Sequence, residues 1–268
     1  MHPIEHLRMV ARAGGAGPSV LAREAVAALS GVASEPAALV TGCRRLVERH
    51  PEAGPIWWLA ARMLSAPDPM AEARVVARLL DEDDTAGVVA AELPPDSTAV
   101  VVGWPEQLAV ALRRRGDVEA LVVDWDGEGD ALSRRLSAAG SDSSEVPSSG
   151  VAAAVVVADI VLVEAVSAGA DGLLATPGSR AAAAVAAHAG VPVWAAVGAA
   201  RVLPRRLWEA QLAHLDASGA EPWYRSAEVV PVELLTSCVG PRGPFSPLEL
   251  ADRADCPAAP ELLRAPGR

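Results

Sequence analysis

From residue 96 onward the chain alternates short, unbroken apolar runs with helix-like stretches, and no other feature limits its possible folds so tightly. Thr98-Ala99-Val100-Val101-Val102 stops at Gly103 and gives way to a helical stretch from Pro105 to Arg115. Ala120-Leu121-Val122-Val123-Asp124 is followed by Ala131 to Ala139. Asp159-Ile160-Val161-Leu162-Val163 leads to an Ala-rich helix from Ser179 to His188, and Gly190 to Val197 closes the series with another strand. A strand with one face in water alternates polar and apolar residues. These runs are apolar throughout, the pattern of a parallel sheet covered by helices on both faces. Between them, the Ser-rich stretch from Gly140 to Gly150 reads as a loop, and no repeat of fixed period appears.

The chain before this point has a different texture. Pro18 to Leu29, Glu35 to Glu48, the stretch from Pro55 holding Trp57 and Trp58, and Met70 to Leu80 place apolar residues at helical spacing. The double proline Pro94-Pro95 separates the two textures. The expected organisation is therefore α/β, with a helical domain at 1–95 and a parallel-sheet domain at 96–268. Apolar residues make up 51% of the chain and aromatics only 3%, so Ala and Val do most of the packing.

Composition excludes several chemistries. All 23 basic residues are Arg, and the chain has neither Lys nor Asn. A P-loop, a kinase strand lysine and a pyridoxal Schiff base each need an ε-amine and are ruled out. A net charge of -11 argues against a nucleic-acid surface. No apolar run reaches the roughly 18 residues of a membrane span. Cys43, Cys238 and Cys256 are widely spaced, which predicts neither a disulfide framework nor a zinc site. Met1 to Arg8 shows no signal pattern. The expectation is a soluble cytoplasmic protein without a cofactor.

Ligands in open parallel sheets bind beyond the carboxyl ends of the strands. The first strand ends in Gly103-Trp104-Pro105, which is no dinucleotide fingerprint, and G-x-S-x-G is absent. The second ends at Asp124, an acid placed to hold a ribose or else part of an acidic surface loop. The third ends at Glu164, a candidate acid, base or ligand, or else a solvated loop residue. Gly178-Ser179-Arg180 opens the Ala-rich helix. Its free N–H groups, hydroxyl and guanidinium suit a phosphate, and an ordinary Ser cap explains the same string. Arg12 with Gly14 and Gly15 forms another Gly-rich approach to a helix.

Taken in order, several segments resemble the family of translation initiation factor 2B alpha, beta and delta subunits, methylthioribose-1-phosphate isomerase and ribose-1,5-bisphosphate isomerase. Arg12 to Ala22 is similar to its R-G-A-P-A-I element, and Arg49 to Ala60 to its R-P-T-x-x-N-L-x-W-A element. Asp159 to Val163, Gly178-Ser179 and Ala186 to Val193 resemble D-x-V-x-V-G-A-D…N-K-x-G-T…A-x-x-x-G-x-P-x-x-V. Val230 to Ser237 with Gly240 to Gly243 resembles the closing P-P-E-L-I-T…T-E-x-G.

The resemblance implies an N-terminal helical domain, a C-terminal Rossmann-like domain and a homodimer or a related partner subunit. It implies a phosphate pocket built from Arg12, Gly14, Gly15, Arg49, Gly178, Ser179 and Arg180. Val166 stands where the isomerases carry their catalytic aspartate, no thiol follows the first strand, and the N-K pair is gone. The leading expectation is a protein without isomerase activity that binds a phosphorylated small molecule or a partner subunit. Two other readings stay open: a sugar-phosphate isomerase using Glu164 and Asp124, and a nucleotide- or S-adenosylmethionine-binding transferase using Asp124.

Overall fold

The computed structural model describes residues 17–217 and 219–263. Its first helices, α1 (Pro18–Ser30), α2 (Pro36–Arg49), α3 (Gly54–Ser65) and α4 (Pro69–Asp81), all carry Pro within their first two positions. Proline suits that place because its missing N–H would have no intrahelical acceptor there, and its φ is already helical. Asp68 caps α4 by accepting the N–H of Ala71 at 3.0 Å. The apolar faces of these helices meet in one core, in which Trp57, Trp58, Ile56, Leu46 and Leu29 are buried. Leu207 and Trp208, far along the chain, join the same core.

The helix α5 (Thr85–Glu92) precedes the double proline but packs elsewhere: Val89 and Ala90 lie with the strand residues Val101 and Val122. The strands that follow are β1 (Thr98–Val102), β2 (Glu119–Val123), β3 (Ser143–Val146), β4 (Ile160–Glu164), β5 (Ser167–Gly169), β6 (Gly172–Ala175), β7 (Val193–Ala196), β8 (Glu228–Pro231), β9 (Ser237–Gly240) and β10 (Gly243–Phe245). Between them lie α6 (Glu106–Arg113), α7 (Glu128–Ala138), α8 (Val151–Val157), α9 (Ser179–Ala189) and α10 (Arg205–Ala217).

Seven strands form the main sheet in the order β10-β9-β7-β4-β1-β2-β3, parallel except for β10, which pairs antiparallel with β9. Val100 sits opposite Leu121, and Val161 opposite Val193. Successive residues of β1 serve opposite faces: Val100 and Val102 join one core, Ala99 and Val101 the other. That is why the run from Ala99 to Val102 has no polar member.

β1 lies between β2 and β4, so the chain leaves it in one direction toward β2 and β3, and later in the other toward β4, β7 and β9. This reversal opens a crevice beyond the carboxyl ends of β1 and β4. Two elements depart from the sequence reading. Part of the Ser-rich stretch is β3, which stays polar because it is an edge strand. Ser167 to Ala175 forms the hairpin β5–β6, which β8 extends to a small antiparallel sheet. Gly169 allows this, since a Cβ there would collide with the Trp208 ring.

Candidate functional site: a crevice closed by its own carboxylates

Two glycines in the left-handed region bring the walls of the crevice together. Gly103 (φ +66°) follows β1, and a Cβ there would lie 3.0 Å from Thr176 Cγ2. Gly178 (φ +96°) precedes α9, where a Cβ would lie 3.2 Å from Val102 Cγ1 and 3.9 Å from the Trp125 ring. At the end of β4, Glu164 is 8% exposed. Its Oε2 accepts the N–H groups of Gln107 (2.7 Å) and Leu108 (3.2 Å) in the first turn of α6. Its Oε1 lies 3.2 Å from Arg201 Nη1.

Arg201 is fully buried, donates to the carbonyl of Ala165 and reaches Ser19 Oγ at 3.3 Å. Burial pushes the Glu164 carboxyl above its ordinary range, while Arg201 and the two α6 N–H groups pull it back down.

The same arrangement recurs around the crevice. Glu106 accepts the Ser19 N–H at 3.4 Å and lies so close that a Cβ on Gly17 would stand 2.8 Å from its carboxyl. Asp124 Oδ1 accepts the Gly129 N–H at 2.8 Å, in the first turn of α7. Glu228 Oε1 accepts the Arg180 N–H at 2.8 Å, in the first turn of α9. The first turn of a helix carries N–H groups without intrahelical partners and a partial positive charge, so it takes either an anionic ligand or an acidic side chain. At α1, α6, α7 and α9 the chain supplies the acid itself.

Glu164 and Asp124 stand on strands either side of β1, roughly 10 Å apart by strand spacing, and each already holds N–H groups of the protein. Ser179 is buried with its N–H given to the Thr176 carbonyl. The Arg180 side chain lines a separate cavity of about 310 Å3 beside Asp216, Arg225 and Glu228. Arg49 is exposed at the end of α2. Arg12, Gly14 and Gly15 lie outside the described residues. The structure thus brings Gly178 to the loop that follows Asp124 and turns Arg180 to another cavity.

Val166 is half-buried; its N–H bonds to Leu174 and its carbonyl accepts from Gly54 at 3.2 Å. Burial raises the thiols of Cys43, Cys238 and Cys256 to about 12, well away from a reactive thiolate.

Sequence reasoning missed Arg201, Glu106, Gln107 and Glu228. Arg201 did carry a signal, as the only charge between Val193 and Leu203. Among the described residues no cluster of three His, Cys, Asp or Glu is arranged to hold a metal, and no helix is long and apolar enough to cross a membrane.

A helical bundle set against a doubly wound parallel sheet defines an α/β protein of Rossmann-like architecture. The same architecture is found in translation initiation factor 2B subunits. The Pyrococcus horikoshii OT3 translation initiation factor eIF-2B superposes with a TM-score of 0.75 at 16% identity, covering 91% of this chain and 97% of that one. The eIF2B beta structure from Chaetomium thermophilum gives 0.70 at 17%, covering 94% and 90%. A chain of the tetrameric eIF2B-beta2-delta2 complex from C. thermophilum gives 0.73 at 16%, covering 93% and 92%. At these identities the likeness is one of fold. No protein-family model and no curated protein matches the chain.

Proposed function

We propose that this chain is an initiation-factor-2B-like protein of the cytoplasm that has no isomerase activity and works by associating with a partner subunit, a second copy of itself or a related chain. The observation that carries the first half is the commitment of Glu164. A general acid or base must reach a substrate proton, and this carboxylate is buried among two α6 N–H groups and Arg201. Val166 offers no carboxyl, and the three cysteines lie in raised, unreactive states.

Association is supported by α8. Val156 and Val157 are 63% and 70% exposed, and no charge occurs from Pro147 to Ala158. On an acidic molecule an uncharged apolar face is where two copies repel least. A neighbour of the same fold is described as part of a tetrameric complex.

The test is an assay with methylthioribose 1-phosphate and ribose 1,5-bisphosphate, beside a thermal-shift screen of sugar phosphates, nucleotides and S-adenosylmethionine. No turnover is expected, and no ligand shift that Asp124→Ala removes. Turnover abolished by Glu164→Gln and Asp124→Ala would instead establish an isomerase. A nucleotide or S-adenosylmethionine shift lost in Asp124→Ala would establish the transferase reading. A sugar-phosphate shift without turnover would favour a phosphate held at Gly178, Ser179 and Arg180, with Arg12, Gly14, Gly15 and Arg49 contributing.

A further inference from the structure

We propose that the cavity beyond the carboxyl ends of β7 and β9 binds a small organic anion with a flat apolar body, headed by a carboxylate or a phosphate. This site lies two strands along the sheet from the crevice and does not depend on how the protein associates. The cavity holds about 490 Å3, within the roughly 300–1,000 Å3 of small-molecule sites, and it occupies the edge of a parallel sheet where ligands bind. The α6, α7 and α9 first turns already hold carboxylates, and this cavity is a roomy place at the same edge.

Its walls suit a flat body. Trp58, 1% exposed with the Arg62 guanidinium over its ring at 4.7 Å, backs the helical side, and Phe245 lines the sheet side. At Gly240 a Cβ would come within 3.3 Å of the Phe245 ring and of the Val197 carbonyl, so a side chain there would crowd both. Ala200, also in the wall, holds φ +64°. A left-handed non-glycine residue is strained, and such strain gathers where backbone is shaped for a ligand.

The cations of the wall are Arg242 and Arg253, beside the carboxylates Glu82, Asp83 and Asp255. The Arg242 guanidinium is exposed to the cavity and, among the described residues, has no hydrogen bond or ion pair. Arg253 is fixed beside it, over the Phe245 ring at 4.4 Å and bonded to Glu249 at 2.7 Å. Two guanidinium groups next to aromatic rings match a planar anion.

The cavity's acids are largely engaged. Asp83 accepts from Thr85 Oγ1 (2.6 Å), Gln107 Nε2 (2.7 Å) and the Ala199 N–H (3.0 Å). Asp255 accepts from Trp58 Nε1 at 2.5 Å. Glu82 remains as an exposed carboxylate at the rim.

The experiment titrates the whole chain with benzoate and with phenyl phosphate, following the indole N–H signals by 1H–15N NMR. The Trp58 signal should move in a saturable way while that of Trp125, in the crevice, stays still. Arg242→Ala should weaken binding about tenfold or more, as expected for a lost charge-assisted hydrogen bond; Arg242→Lys should recover part of it, and Glu82→Gln should tighten it. Response to one probe alone supports the site and identifies the headgroup. The proposal fails if neither probe moves Trp58, if Trp125 moves in its place, or if Arg242→Ala, on an exposed residue with an unchanged spectrum, leaves the affinity intact.

Discussion

Arg201 is the residue on which the crevice depends. Its guanidinium is buried and meets Glu164, the Ala165 carbonyl and Ser19, so it ties the end of β4 to the start of α1. Removing one partner of a buried pair leaves the other charge without compensation, which costs about 3–5 kcal/mol. Arg201→Leu should therefore lower stability by about that amount in chemical denaturation, and Glu164→Gln, which keeps a hydrogen-bonding side chain in place, should lower it less. The two differ in pH dependence as well. Burial raises the folded-state pKa of Glu164 above its ordinary 4.5, so the folded protein holds that proton more tightly than the unfolded chain. Its contribution is present below the ordinary value and declines as pH rises through the raised one. The melting temperature of Glu164→Gln should accordingly gain on that of the unsubstituted protein as pH increases from 4 upward, and an unchanging difference would show that the carboxyl is not raised. That β4 ends at Glu164 was legible because its apolar run stops there; that the carboxylate is buried against Arg201 was not. Nor was Arg201, because the partner that explains a charge in an apolar run lies on another strand.

At the scale of elements, the strands β1, β2, β4 and β7 and the Ala-rich helix were legible, and so were the first helices with their prolines. Periodicity reports how a segment is buried, and these segments are buried in a regular way. The hairpin β5–β6 was not legible, because three- and four-residue strands are too short to show a period, and its register depends on Gly169 lying flat against Trp208. β3 reads as a loop because an edge strand tolerates Ser. The capping carboxylates belong to this scale too. Asp124→Ala should destabilise α7 by about 0.5–2 kcal/mol, the usual range for a lost cap, read as faster amide exchange in the first turn of that helix. Gly129→Ala should be worse, because its Cβ would stand 2.6 Å from Asp124 Cα and overpacking costs about 1–3 kcal/mol. None of these caps shows as a motif, since α1, α6 and α9 each take their acid from another part of the chain.

Across the whole molecule, a charge of -11 opposes self-association except through neutral surface. Val156 and Val157 lie on such a surface, with α8 beside the Ala-rich α9. Sedimentation should find a dimer or larger assembly, and Val157→Glu should shift it toward monomer without changing the melting of the fold. A monomer at all concentrations would remove self-association from the proposed function. The fold class was within reach of the sequence, whereas the state of the crevice was not, since a carboxylate at a strand end reads the same whether it faces a ligand or closes the gap itself. The closed helix ends also bear on reversibility. A tethered acid meets its helix at an effective concentration set by the fold, which a dissolved phosphate has to outcompete. An aspartate placed at Val166 would leave Glu164 seated on α6, and deleting Glu164 alone would strand Arg201. A ligand therefore reaches those N–H groups only if several side chains change together, so the arrangement resists stepwise change.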